Sequence, residues 1–338
     1  MPELDALRGL AIALVFGFHA YGIGHGLVPL PTEVSLPFAF VRAGNTGVSL
    51  FFVLSGFLLA RPFLAAADSG ALPSWRDFYA RRALRILPMY VLVVAVTTAA
   101  VAREPGELLP LLGLCLVSRT GRMLGAILLA AVVVAYGLYV TGTVTVPTLE
   151  GEWLLGASVL GRGPVFGAGI AAAWLHRRHG ERIRACAERV DGRVPWMGEL
   201  LLLGLLGALG VLLRWMIQLG FLRQGLPPMV AWHVPEGIVW ALVLLVVLLA
   251  PLRVRWLLCA RPLRALGEIS YSVFLIHVGV LWAAVRGSQL AVPGRLTGWN
   301  AAAFGVVAAA TVVCLGLSTL TYRVVEQPFL RRKARFRG

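Results

Sequence analysis

Nine apolar runs, each near the length of a bilayer-crossing helix, dominate this 338-residue chain; they lie within 6–24, 46–66, 84–102, 122–141, 153–175, 197–217, 229–250, 266–285 and 300–322. A hydrocarbon core about 30 Å thick takes about 20 such residues per helix. Inside it every backbone N–H and C=O must be paired within the protein, so continuous apolar runs of this length imply helices. Hydrophobic residues make up 59% of the chain and charged residues only 14%, well outside the balance of a soluble domain. The expected fold is all-α, a polytopic integral membrane helix bundle. A tenth segment, ELLPLLGLCLV at 107–117, is about half the length a crossing needs. Counting it gives about ten transmembrane helices, the fourth unusually short.

That count makes the basic connections alternate. Arg76, Arg81, Arg82 and Arg85, then Arg119 and Arg122, the stretch Arg177 to Arg193, the stretch Arg253 to Arg264 and the tail Arg331 to Arg337 all fall on one side. The positive-inside rule names that side cytoplasmic and places both termini there. The opposite connections hold Arg42, Arg103, Arg223, Arg286 and Arg295, with Glu150 and Glu152. The formal charge of +15 thus belongs to topology and to contact with membrane lipid. It follows no nucleic-acid recognition pattern, and no nucleic acid is expected as a partner. Four scattered cysteines, Cys115, Cys186, Cys259 and Cys314, have neither disulfide nor metal spacing, so no metal is expected. The longest polar connection, 176–195, is too short to fold alone. Residues 1–338 are read as a single membrane domain with no appended soluble domain, and the first span as a retained helix rather than a cleaved signal.

Ionisable residues inside such spans cost about 3 kcal/mol each and mark candidate sites. Arg8 and His19 lie eleven residues apart in the first span. Eleven steps of about 100° bring them back to one helix face, about 16 Å apart along the axis. Histidine suits proton abstraction near neutral pH; the plain alternative is a snorkelling arginine and a structurally satisfied histidine. Arg82 and Arg85 enter the third span on adjacent turns of one face. Their planar forks suit phosphate, although positive-inside topology also explains them. In the second span Gly47, Ser55 and Gly56 permit close helix approach, and Ser49 and Ser55 can hydrogen-bond across helices. The run RPLRALGEISYSVFLIHVGVL begins a late span with Glu268 and Tyr271 one turn apart and His277 deep inside; His277 reads as a structural histidine slightly more readily than a catalytic one. His233 and Glu236 sit near the outer end of their span, where they could face an acceptor. Glu326, before Pro328, reads as a structural contact at a helix end. His25, His176 and His179 read as solvated loop residues.

Six ordered motifs resemble one family, the membrane-bound acyltransferase-3 group, whose bacterial members O-acylate sugars and other hydroxyl-bearing molecules. They are LDALRGLAIALVFGFH, GVSLFFVLSGFLL, FYARRALRILP, GPVFGAGIAAAWLHRR, LGEISYSVFLIH and VVEQP. Arg8 and His19 fall on the arginine and histidine of the family's first helix. The resemblance implies that His19 is the catalytic base, that Arg8 acts with it, and that Arg82 and Arg85 bind the acyl donor. Ser55, Glu268, Tyr271 and His277 are candidate supporting residues. No bound cofactor is implied. The donor substrate would be cytoplasmic acyl-CoA, with acetyl-CoA the first choice, and the acceptor a hydroxyl of a carbohydrate, glycolipid or glycoside in the cell envelope. The location implied is the bacterial cytoplasmic membrane.

One departure stands out. The family's usual helix with a tryptophan, a glutamate and a Phe-Tyr pair has no match here, and 107–117 resembles only its end. The alternatives to an acyltransferase are therefore a transporter or flippase-like protein, or a catalytically degenerate family member lacking part of the fourth helix.

Overall fold

A computed structural model describes residues 1–23, 35–70, 74–101, 161–219, 229–292, 296 and 300–332. The short segment 107–117, the run 122–141 and most of the connections with Arg103, Arg119, Arg122, Glu150, Glu152, Arg223 and Arg295 lie outside the described residues, as do His25 and Cys115.

Every regular element among the described residues is helical. In chain order these are α1 (Pro2–Ile23), α2 (Leu36–Arg42), α3 (Thr46–Ser69), α4 (Trp75–Val101), α5 (Gly163–Arg193), α6 (Met197–Gln218), α7 (Met229–Leu249), α8 (Arg255–Leu258), α9 (Arg261–Glu268), α10 (Ser270–Ala291) and α11 (Ala301–Thr321). A π-helical turn, Tyr322–Glu326, then leads into α12 (Gln327–Arg332). Among the described residues, six stretches are long and apolar enough to cross a membrane: α1, α3, α6, the Trp232–Leu249 part of α7, α10, and α11 with its extension. Leu200, Leu203 and Val211 of α6 and Phe304, Val312 and Val313 of α11 are exposed. So much outward-facing apolar surface fits a lipid solvent, as a water-soluble protein rarely shows it in such continuous bands.

Small residues bring the backbones together, as expected where lipid removes the hydrophobic drive between helices. A Cβ on Gly56 of α3 would collide with the carbonyl of Phe166 on α5, and one on Gly169 of α5 with the carbonyl of Val53 on α3. Gly47 of α3 sits on the Ala11 carbonyl of α1 in the same way. Gly47 and Gly56 thus act as the sequence suggests, whereas Ser55 is exposed on α3 and is not part of these crossings. The main core, with Leu50, Val53, Leu54 and Phe57 of α3, Leu209 and Leu213 of α6 and Trp240 and Leu244 of α7, joins these helices to α1 and α5.

Two boundaries differ from the sequence reading. The stretch 176–193 is helix rather than a polar loop. α5 runs for 31 residues, about 46 Å, because its Arg, Glu and Ala residues favour helix and nothing breaks it before the Gly192–Pro195 region. His176 and His179 are accordingly helical and half-buried. The run 266–285 is not one helix: α9 ends at Glu268 and α10 starts at Ser270. Gly9 of α1 and Gly267 of α9 hold α9 tightly against α1, since a Cβ on either would strike the other helix's backbone, at Leu263 and Asp5 respectively.

Both ends of the described chain lie at one end of the bundle. Arg8 near the start and Glu326 near the finish both lie within electrostatic reach of Arg85 at the start of α4.

Candidate active site

The face of α1 predicted from spacing is the face that carries the site. Arg8, Ile12, Val15 and His19 follow one another at intervals of four, three and four residues, the repeat of a single helical stripe. Ile12 and Val15 are fully buried and pack with Val273 of α10 and Cys314 of α11. The stripe is therefore a packed apolar seam with a cation at one end and an imidazole at the other.

At the deeper end His19 meets His277. The rings lie 4.8 Å apart, edge to face, and His19 Nδ1 is 3.2 Å from His277 Nε2. Each Nδ1 also approaches the carbonyl one turn back on its own helix, His19 at 2.9 Å from Val15 O and His277 at 3.0 Å from Val273 O. Carbonyl oxygens only accept, so both Nδ1 atoms are assigned the proton. His277 Nε2 then holds a lone pair and accepts from His19 Nδ1–H. The consequence falls on His19: its Nε2 also holds a lone pair and has no partner among the described residues. An imidazole held at one nitrogen and open at the other has the form of a general base. The sequence reading left His277 closer to structural than catalytic; here it is the direct neighbour of His19, buried to 2% exposure.

At the other end Arg8 pairs with Asp5 one turn earlier, at 3.2 Å. Arg82 and Arg85 of α4 lie near enough for their charges to act on Arg8. Arg82 also lies over the Phe78 ring, 5.5 Å from its centre. Three guanidiniums thus converge where Asp5 is the ion-paired carboxylate. Glu326 faces the same region but is engaged by the Ser272 hydroxyl, which donates to it, while Thr321 donates to Ser272 at 3.2 Å. Glu326 is buried, consistent with the structural contact expected of it. Tyr271 donates to the Ile86 carbonyl at 2.9 Å and so ties α10 to α4. Glu268 is exposed and, with the helix broken after it, does not share a continuous face with Tyr271. Among the candidate supporting residues the structure brings His277 to His19 and Tyr271 to the arginine cluster, and leaves Ser55 and Glu268 on the surface.

A second polar cluster had no complete counterpart in the sequence reading. His233 Nδ1–H donates to Glu236 at 3.0 Å, and both side chains are buried. Thr46 donates to the same carboxylate and accepts from Trp240 Nε1–H at 2.8 Å. Arg162, 3% exposed, donates to Ser49, and its charge is felt at Glu236. His233 and Glu236 therefore close a buried network across α3, α5 and α7; they are not open to an acceptor at the surface. The missed member was Arg162. The sequence reading places it inside the 153–175 run without singling it out, whereas it occupies the N-cap position of α5 with its side chain buried.

Comparison with known proteins bears on the segment that builds the arginine and histidine sites. Residues 1–107 match the family model described as an acyltransferase domain. Over this first third, the chain is similar to the acyltransferase-3 family. Over 106 residues it is 30% identical to the peptidoglycan O-acetyltransferase OatA of Listeria monocytogenes, a match covering 31% of this chain and 14% of that protein. Over 109 residues it is 33% identical to the putative peptidoglycan O-acetyltransferase YrhL of Bacillus subtilis, covering 32% and 15%. A Caenorhabditis elegans protein named regulator of hypoxia-inducible factor 1 is 38% identical over 80 residues, 23% of this chain and 15% of its own. The aligned region thus spans about a seventh of the length of the first two relatives. No solved structure matches the chain. This acyltransferase-3 match includes Arg8, His19, Arg82 and Arg85 and stops before α10, so His277 is placed by the fold alone.

Proposed function

We propose that the protein is a membrane O-acyltransferase that moves an acyl group, acetyl first, from acyl-CoA to a carbohydrate hydroxyl. The observation that carries this reading is the open Nε2 of His19, held by His277 at the far end of the seam from three converging arginines. The arginine-rich end is cytoplasmic by the positive-inside rule, which puts the donor's phosphates within reach of Arg8, Arg82 and Arg85. Guanidinium forks hold phosphate oxygens bidentately and with charge assistance. Ile12 and Val15 close the seam itself, so the donor's thioester arm runs beside it.

At His19 the acceptor hydroxyl gives its proton to Nε2 as its oxygen attacks the thioester carbonyl. The C–O bond forms, the C–S bond breaks, and the thiolate leaving group takes up the proton that His19 releases. As His19 becomes an imidazolium, its Nδ1–H bond to His277 becomes charge-assisted and strengthens. A contact that is stronger in the transition state than in the ground state accelerates the step. The named relatives suggest peptidoglycan as the acceptor class. Mass spectrometry of envelope glycans from strains with and without the gene tests the proposal. An acetyl-sized mass difference on a sugar is the expected result; identical glycan masses together with altered glycolipid distribution across the membrane would favour a flippase-like protein.

A further inference from the structure

A basic cavity of about 580 Å³ opens beside α5, in a region separate from the arginine cluster on α1 and α4. Its volume lies in the range of small-molecule sites. Five arginines line it against one glutamate. Arg177 is neutralised by Asp68 of α3 at 2.5 Å, which pins α5 to α3 and stiffens one wall. That leaves Arg61 of α3 and Arg178, Arg182 and Arg184 of α5 without a carboxylate partner among the described residues. Arg61 does make one contact, to Met1 Sδ at 3.8 Å. The two half-buried histidines of α5, His176 and His179, add N–H donors, and the His176 ring rests against Phe57 at 5.6 Å between centres.

The inner wall is apolar, formed by Leu64, Ala173 and Leu249, and Gly180 leaves it open. A Cβ there would touch Leu249 only at an ordinary 3.7 Å. Positive-inside topology accounts for arginines at this depth but does not require them to converge on a concave, glycine-opened space. Basic pockets between membrane helices at the cytoplasmic face are suited to phosphorylated headgroups.

We infer that this cavity is a second anion site that takes a phosphomonoester or diphosphate group, carried by a soluble phosphorylated molecule or by an anionic lipid headgroup. The site stands apart from the acyl-transfer reading, and its test reads binding instead of turnover. The full chain in phosphatidylcholine nanodiscs is used in an Arg82→Gln/Arg85→Gln background, which weakens the other arginine cluster. Inorganic pyrophosphate is titrated calorimetrically as the soluble probe, and discs doped with phosphatidic acid are analysed by native mass spectrometry as the lipid probe. Saturable binding of either probe is expected, and the responding arm names the source. Arg61→Gln/Arg184→Gln should weaken it about tenfold or more, because each loses hydrogen bonds to a charged group. Gly180→Leu, which fills the space and leaves the charge intact, should abolish it. No saturable binding of either probe, or undiminished binding in the arginine variant, overturns the assignment.

Discussion

The His19–His277 contact yields a quantitative expectation. His277→Leu removes the acceptor for His19 Nδ1–H and leaves that proton with the Val15 carbonyl, 2.9 Å away. A neutral hydrogen bond contributes about 1 kcal/mol net and a charge-assisted one about 1.5–3 kcal/mol. The difference, about 0.5–2 kcal/mol, is the part felt only as His19 becomes cationic. At about 1.4 kcal/mol per decade, kcat should fall about 2- to 30-fold while KM for acetyl-CoA stays within about twofold, the pattern of an interaction made mainly in the transition state. His277→Gln, whose side-chain carbonyl can accept the same proton, should recover part of that loss. The assay is thiol release from acetyl-CoA by the purified protein with muropeptides as acceptor. Wild-type kcat in His277→Leu refutes the reasoning, as does a Gln variant no better than the Leu one.

Other expectations follow from the same geometry. Arg82→Gln/Arg85→Gln should raise KM for acetyl-CoA at least tenfold, since each arginine loses charge-assisted contacts with phosphate; steady-state kinetics read this directly. Glu236→Leu leaves Arg162 and His233 buried without their carboxylate and should destabilise the fold by about 3–5 kcal/mol; adding Arg162→Leu should recover part of that in denaturant unfolding. Gly169→Val forces α5 away from the Val53 carbonyl of α3 and should destabilise by at least about 1–3 kcal/mol, measured in the same way. Outside the membrane, Arg253 holds the Asp191 carboxyl below its usual value through a hydrogen bond, aided by the Trp196 N–H. A carboxyl depressed in the folded state stabilises above its unfolded pKa, about 3.9, and loses that contribution as pH falls through the lower folded value. Asp191→Asn should therefore flatten the acid side of the thermal-stability profile and leave its neutral side lowered.

The candidate stripe was legible because helical periodicity is local: spacing alone puts Arg8 and His19 on one face. Arg82 and Arg85 were legible for the same reason, and Gly47 and Gly56 because small residues in an apolar helix have few roles besides close packing. Their convergence was not. The contact between residues 19 and 277 depends on how α1 crosses α10, which follows the close α1–α9 approach at Gly9 and Gly267 and a helix break after Glu268 that the sequence did not reveal. Glu268 looked one turn from Tyr271 only while the break went unseen. His233 and Glu236 were located correctly along the chain but read as open, since their burial depends on Thr46 of α3 and Arg162 at the start of α5 meeting them. His176 and His179 read as solvated because a run of charges resembles a loop; strong helix formers extended α5 through it and set several of its charges along a cavity.

The central claim is that His19 is the base serving a donor held at the arginine-rich end. Its most direct test is acetyl transfer in proteoliposomes, with acetyl-CoA supplied only at the arginine-rich face and muropeptides only at the other. The account predicts acetylated muropeptides with the wild-type protein and none above background with His19→Gln, although Arg8, Arg82 and Arg85 still retain the donor. Undiminished transfer by His19→Gln would contradict it.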